Sequence, residues 1–282
     1  MATVTPLRPS PIAGTWYEGR PEALARAVDS YMDRAELPKL EGELIGVVAP
    51  HAGHRYSGPV AGYAFAAARG LSPGLVAVIA PMHQPYDGSL LTTAHTAYAT
   101  PLGSVPVDEQ AVHALDARLK ESLGLGLTPV AYDQEHSLEI ELPFLQRALA
   151  APFSLLPVMV RAVAPPISRA LASALAETLL GRDFLMVAST DLSHYRTQQV
   201  AEAMDSEMLA RLEALDPDGL FDTEATGRGQ ACGLGALAAV LWAARDLGAD
   251  RVNILRHATS GDVTGDYSAV VGYGAAAIYR GG

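Results

Sequence analysis

Leu44-Ile45-Gly46-Val47-Val48-Ala49 runs straight into Pro50-His51, and Leu75-Val76-Ala77-Val78-Ile79-Ala80 runs into Pro81-Met82-His83. A third run, Phe184-Leu185-Met186-Val187-Ala188-Ser189, leads to Thr190-Asp191-Leu192-Ser193-His194. Short, unbroken apolar runs bounded by Pro and Gly read as strands buried on both faces, as in parallel sheets. In open α/β sheets, ligands bind in the crevice beyond the carboxyl ends of such strands. Three strand exits that each supply an imidazole describe one site assembled from distant segments, and the use that suits it best is a metal.

Around these runs, helical patterns alternate with strand-like ones. Pro21-Glu22 opens a helix with Leu24, Val28, Tyr31 and Met32 on one face. Pro59 sits at a plausible first turn of a second helix, with Gly70 just past its end. Asp108 is placed to cap a third, whose stripe is Val112, Leu115 and Leu119. Residues 154–160 read as a strand, 166–180 as a helix, and a long helix follows His194 and ends near Asp216-Pro217. Residues 251–257 and 267–279 are strand-like and joined by the turn-rich Ser260-Gly-Asp-Val-Thr-Gly-Asp266, an antiparallel pair closing one edge of the sheet. No low-complexity tract, charge block or linker marks a boundary. The expected fold is therefore one α/β domain over residues 1–282, a sandwich with a mostly parallel, mixed β-sheet flanked by helices.

Composition narrows the function classes. The 282 residues are 49% hydrophobic and 18% charged, as in a globular chain with a large core. A net charge of −11 argues against a nonspecific nucleic-acid surface. No apolar stretch is long enough to span a bilayer, and the first residues lack the apolar core of a signal peptide. One cysteine permits no internal disulfide and suits a reducing cytoplasm. Nothing in the sequence sets the oligomeric state.

Pro50-His51-Ala52-Gly53-His54-Arg55-Tyr56-Ser57-Gly58-Pro59 is a dense polar cluster where a strand ends and a helix begins. A lone histidine there would read as a satisfied turn, but His51 with His83 reads as a metal or catalytic pair. Cys232, in Gly229-Gln-Ala-Cys232-Gly233-Leu-Gly235, enters an Ala-rich helix. In a first turn the helix dipole would favour thiolate, the metal-binding form; inert packing is the equal alternative. Gln134-Glu135-His136-Ser137-Leu138-Glu139 sets a histidine between carboxylates. It reads either as support for the site or as an exposed helix start capped by Ser137. Asp191 and His194, spaced i, i+3, suit a carboxylate-oriented general acid/base. Cys232, His194 and Asp191 also admit a nucleophilic triad. His54 and His257 are weaker candidates, and His95 and His113 read as surface residues. There is no Walker loop, Gly-x-Ser-x-Gly elbow or His-Glu-x-x-His helix.

These residues carry a resemblance to the Memo family, whose prokaryotic members are often named AmmeMemoRadiSam system protein B. It runs nearly end to end: Ala13-Gly14-Thr-Trp16-Tyr17, Pro50-His51-Ala-Gly53 with Tyr56-Ser57-Gly58, and Glu135-His136-Ser137-Leu-Glu139 with Leu142-Pro143-Phe144. It continues through Ser189-Thr-Asp191-Leu-Ser-His194 and Ser260-Gly-Asp-Val-Thr-Gly-Asp-Tyr267. His54 departs from the pattern, where an aromatic such as Tyr is expected. The resemblance implies a fold like that of LigB-type class III extradiol dioxygenases, which are non-haem Fe(II) enzymes. It implies a metal pocket lined by His51, His83 and Cys232, with Asp191 and His194 close by. In an enzyme the catalytic residues expected are His194, oriented by Asp191 to shuttle protons, and His136, shaping the pocket. Cys232 stands where the dioxygenases use a carboxylate, which favours Cu(I) or Zn as well as iron and puts catechol cleavage in doubt. The function expected is a metal-dependent redox enzyme acting on a small-molecule or peptide ligand. The alternatives are a nonenzymatic peptide- or protein-binding module that keeps the pocket, and a Zn hydrolase.

Overall fold

The computed structural model describes residues 4–281. Its interior strands are buried on both faces because their side chains alternate between two cores. Leu75, Ala77 and Ile79 enter one core, while Val76, Val78 and Ala80 enter the other. Met186 and Ala188 alternate with Leu185 and Val187 in the same way. An unbroken apolar run is what such a strand requires.

The main sheet has nine strands. At its centre Glu43–Ala49, Phe184–Ser189, Leu75–Pro81 and Ser154–Val160 lie side by side, all parallel. Antiparallel pairings flank them, with Val270–Arg280 on Glu43–Ala49 and Leu90–Thr93 on Ser154–Val160. Thr128–Val130 completes one edge. The sheet is thus mixed and flanked by helices, as expected, with its parallel part concentrated at the centre. Ala249–Thr259 and Val270–Arg280 form the anticipated antiparallel pair, and a short helix, Gly261–Thr264, sits in the turn.

Helices Glu109–Leu123, Pro165–Leu179 and Leu234–Asp246 cover one face through Leu115, Leu171 and Leu237. Pro21–Asp33, His54–Ala67 and Leu142–Ala148 cover the other through Leu24, Val60 and Phe144. Asp108 caps its helix by accepting from Ala111 N at 2.8 Å. The second helix departs from expectation: it opens at His54, and Pro59 lies inside it. The helix packs closely on the preceding one. A Cβ on Gly58 would stand 2.6 Å from the Tyr31 ring, and one on Gly62 would stand 2.6 Å from the Tyr31 carbonyl oxygen. Among the described residues, no helix is long and apolar enough to cross a membrane.

A second, three-stranded sheet joins Leu7–Arg8 to the hairpin Ala97–Thr100 and Gly103–Pro106. It buries Arg8 completely, beside the loop that carries Glu135 and His136.

Candidate metal centre

Register places the ends of three central strands side by side, since Ala49 pairs with Ser189 and Ile79 with Ala188. The residues just beyond them, His51, His83 and Asp191, are therefore neighbours although far apart in sequence. One potential ligand atom from each of His51, His83 and His136 lies within 4.8 Å of the others. The ring centroids are 5.3 Å apart for His51 and His83, 5.5 Å for His51 and His136, and 4.9 Å for His83 and His136. His51 is buried, His136 half-buried and His83 exposed, so the cluster is closed at its floor and open on one side. Such a cluster can hold a metal ion.

The rings of His51 and His83 are anchored through hydrogen bonds at Nδ1, and His136 turns Nδ1 toward the same carboxylate as His83. Glu135 Oε1 lies 2.9 Å from His83 Nδ1 and 3.2 Å from His136 Nδ1, so one buried carboxylate orients both imidazoles. Its oxygens also accept from the backbone N–H groups of His83, His136 and Ser137. Burial alone would raise the Glu135 carboxyl, but the hydrogen bond from His83, the charges of both histidines and the Ser137 N–H hold it well below the ordinary range. For His83, burial opposes the charged form, yet the bond to Glu135 and its field outweigh burial and raise the pKa. His136 is lowered to about 4, chiefly by burial. His51 Nδ1 lies 2.9 Å from Ser189 Oγ, and burial, then the neighbouring His136 and His83, push His51 well below its usual value. His51 and His136 are held neutral, while Glu135 favours the charged form of His83, which must give up a proton to become a ligand; outer-shell contacts of this kind orient ligands in metal sites.

Cys232 Sγ lies 3.0 Å from His51 Nε2 and accepts from Asp191 N at 3.2 Å. The thiol thus stands beside the imidazole cluster, as a shared site requires. Its expected thiolate character does not hold in the metal-free protein. Cys232 precedes the helix Leu234–Asp246 rather than lying in its first turn, and packing around the sulfur, then the Asp191 charge, push the thiol well up.

Asp191 and His194 do not form the expected carboxylate–imidazole pair. Asp191 Oδ1 accepts from His51 N at 2.7 Å and Ala52 N at 3.3 Å, fixing the strand exit. Burial raises its carboxyl to about 7 despite those two bonds. His194 Nδ1 turns instead to the Leu192 carbonyl at 2.8 Å, and burial lowers its pKa. Its ring still lies close enough to feel His83.

The remaining histidines separate from the cluster. His54 is buried against Tyr17 and Phe144 with Nε2 at 2.9 Å from the Ile140 carbonyl, a packing role that explains its apolar surroundings. His95 is buried rather than at the surface: Nδ1 reaches the Thr5 carbonyl and Nε2 accepts from Tyr132 N, tying down the N-terminal segment. His113 is exposed, and His257 pairs with the buried Asp205 at 2.8 Å. Ser137 is no exposed cap; it is buried and donates to the Pro81 carbonyl.

The model of the Memo-like protein family matches residues 8–277. The chain belongs to the Memo family. A MEMO1 family protein of Methanothermobacter thermautotrophicus is 37% identical over 95% of this chain and 98% of its own length. Those of Ignicoccus hospitalis and Nitrosopumilus maritimus are 34% and 32% identical, each over 95% of this chain and at least 97% of their own. In this Memo chain, sequence reasoning underplayed His136, which joins the imidazole cluster. It missed Ser189 and Glu141 beneath His51. His136 follows no apolar run, and the two missed residues lie within buried segments that read as packing; only their polarity inside such segments could have marked them.

Proposed function

We propose that this Memo-family protein binds a redox-capable metal, Fe(II) foremost with Cu and Zn as alternatives, and uses it in oxidoreductase or dioxygenase-like chemistry. The single observation carrying this reading is the convergence of His51, His83 and His136, with Nδ1 of His51 on Ser189 and Nδ1 of His83 on Glu135, which leaves Nε2 of those two rings as the nitrogen for a metal. The donor set fits: once His83 has given up its proton, three imidazoles suit Fe, Cu and Zn, and a thiol 3.0 Å from His51 Nε2 adds a fourth, softer ligand. A metal held there supplies Lewis acidity and, for iron or copper, one-electron chemistry.

The chain's own residues do the rest. Glu135 orients His83 and His136, while Asp191 holds the His51 backbone in place. Cys232 must lose its proton on joining the ligand set, so loading releases protons. His194, beside the cluster and neutral, is placed to hold or pass a proton. The opening at His83 admits a small-molecule or peptide ligand. A reducing compartment would keep the thiol available.

One observation favours the nonenzymatic peptide-binding alternative. The Trp16 ring lies against His136, tilted 30° with centroids 4.0 Å apart, while remaining 38% exposed, offering an aromatic contact at the rim. The deciding experiment loads tag-free protein anaerobically with Fe(II), Cu(I) or Zn(II) and follows O2 consumption with catechols and small aromatic or peptide candidates. Stoichiometric binding lost in His51→Ala supports the metal reading, and turnover supports the enzyme. Protein that takes up none of the three ions, with unchanged stability, refutes both.

A further inference from the structure

Ser189 Oγ has three neighbours at hydrogen-bond distance: the Ser137 carbonyl oxygen at 2.7 Å, Glu141 Oε1 at 2.7 Å and His51 Nδ1 at 2.9 Å. A hydroxyl offers one proton and two lone pairs. The Ser137 carbonyl can only accept, and the Ser189 proton goes to it. Both other neighbours must then donate into the two lone pairs. His51 carries its proton on Nδ1, and Glu141 carries one on Oε1. The thiol agrees with this assignment, since a bare His51 Nε2 is the acceptor that the Cys232 S–H needs at 3.0 Å.

The setting of Glu141 leads to the same protonation state independently. The residue is buried, and its second oxygen, Oε2, has no hydrogen-bond partner among the described residues. A carboxylate in that position would keep a full charge with one oxygen unsolvated, whereas an acid leaves only a carbonyl lone pair unmet. The buried cation Arg8 is bound to Asp133 and Glu139. Burial pushes the Glu141 carboxyl well above the ordinary range, and the charge of Asp191 adds to the push.

We propose that Glu141 is a neutral carboxylic acid that acts as a positioning residue, saturating Ser189 so that His51 is locked as its Nδ1–H tautomer with Nε2 bare toward the shared centre. The role in metal binding rests on reading His51 as a ligand; the protonation state does not. One consequence is an asymmetry among the imidazoles. His83 and His136 are backed by a carboxylate, which strengthens their donation, while His51 is backed by a hydroxyl with both lone pairs filled. His51 is then the weakest donor of the three and the one whose orientation depends on a neutral network.

The test uses the full-length, metal-free chain. Infrared difference spectra of wild type minus Glu141→Gln, recorded at about pH 8, far above the ordinary carboxylate range, should show the carbonyl band of an unionised acid. If the substitution instead removes carboxylate bands, Glu141 is charged and the proposal is overturned. Nitrogen-15 spectra of the histidines should show His51 protonated at Nδ1 in wild type and in Glu141→Gln, whose amide N–H still donates to Ser189. Glu141→Met removes that donor and should weaken Zn(II) binding about 10-fold, with Gln restoring it. Equal loss in Gln and Met would overturn the positioning role. If wild type binds no Zn(II), the reading of the metal site fails while the infrared and nitrogen results still decide the protonation. The same two measurements decide it if Glu141→Met does not fold.

Discussion

Glu135→Gln is the substitution whose consequences the structure fixes most tightly. The carboxylate meets His83 Nδ1, His136 Nδ1 and the N–H groups of His136 and Ser137 at Oε1, and His83 N at Oε2. A glutamine best keeps its oxygen at the crowded Oε1 side, which forces its NH2 against the N–H of His83. One charge-assisted bond is lost and a donor is left facing a donor, at a cost of about 2–4 kcal/mol. Both imidazoles also lose their shared anionic partner, so metal affinity should fall roughly 10–100-fold. Urea unfolding at neutral pH reads the first effect, and chelator competition for Zn(II) reads the second.

The acid side of the unfolding profile adds a further check. The Glu135 carboxyl is held below its unfolded value, so its stabilisation is complete above about pH 5 and is lost progressively as the pH falls below that. The substitution should therefore close the gap to wild type in acid. A variant with wild-type stability and affinity at neutral pH would refute the assignment of Glu135 as the common support of His83 and His136.

Other expectations concern the surrounding network and the thiol. Arg8→Leu leaves Asp133 and Glu139 as buried, unpaired carboxylates and should destabilise the chain by about 3–5 kcal/mol in thermal or denaturant unfolding. Asp191 is raised to about 7 when folded. The folded metal-free protein therefore holds a proton that the unfolded chain releases above about pH 4. Stability should fall as pH rises from about 4 to 7, and Asp191→Asn should flatten that slope. Cys232→Ser should leave Zn(II) binding by the imidazoles in place but reduce proton release on loading and weaken Cu(I) binding most, as measured by calorimetry in two buffers.

Much of the architecture was legible because two-faced burial writes itself into sequence as unbroken apolar runs. The strands ending at Ala49, Pro81 and Ser189, the Asp108 cap and the final antiparallel pair all follow from that pattern or from local turn chemistry. The start of the second helix was not legible, because its N-cap, Gly53, has no side chain to cap it and Pro59 marks a first turn that lies five residues too late. At the site, strand exits identified His51, His83 and Asp191, while His136 arrives on a loop held by Arg8 from the far N-terminal segment. The i, i+3 spacing of Asp191 and His194 suggested a pair that the backbone N–H groups of His51 and Ala52 had already claimed. His95 reads as polar and exposed in sequence, and is buried because both its nitrogens meet backbone groups more than thirty residues away.

The most direct measurement is anomalous scattering at the metal edge from crystals soaked anaerobically with Fe(II) or Zn(II). A single ion about 2.0–2.1 Å from the Nε2 atoms of His51, His83 and His136, with Cys232 Sγ at about 2.3 Å for zinc, is the outcome predicted. An ion bound elsewhere, with the His51 and His83 rings unmoved and uncoordinated, would contradict it.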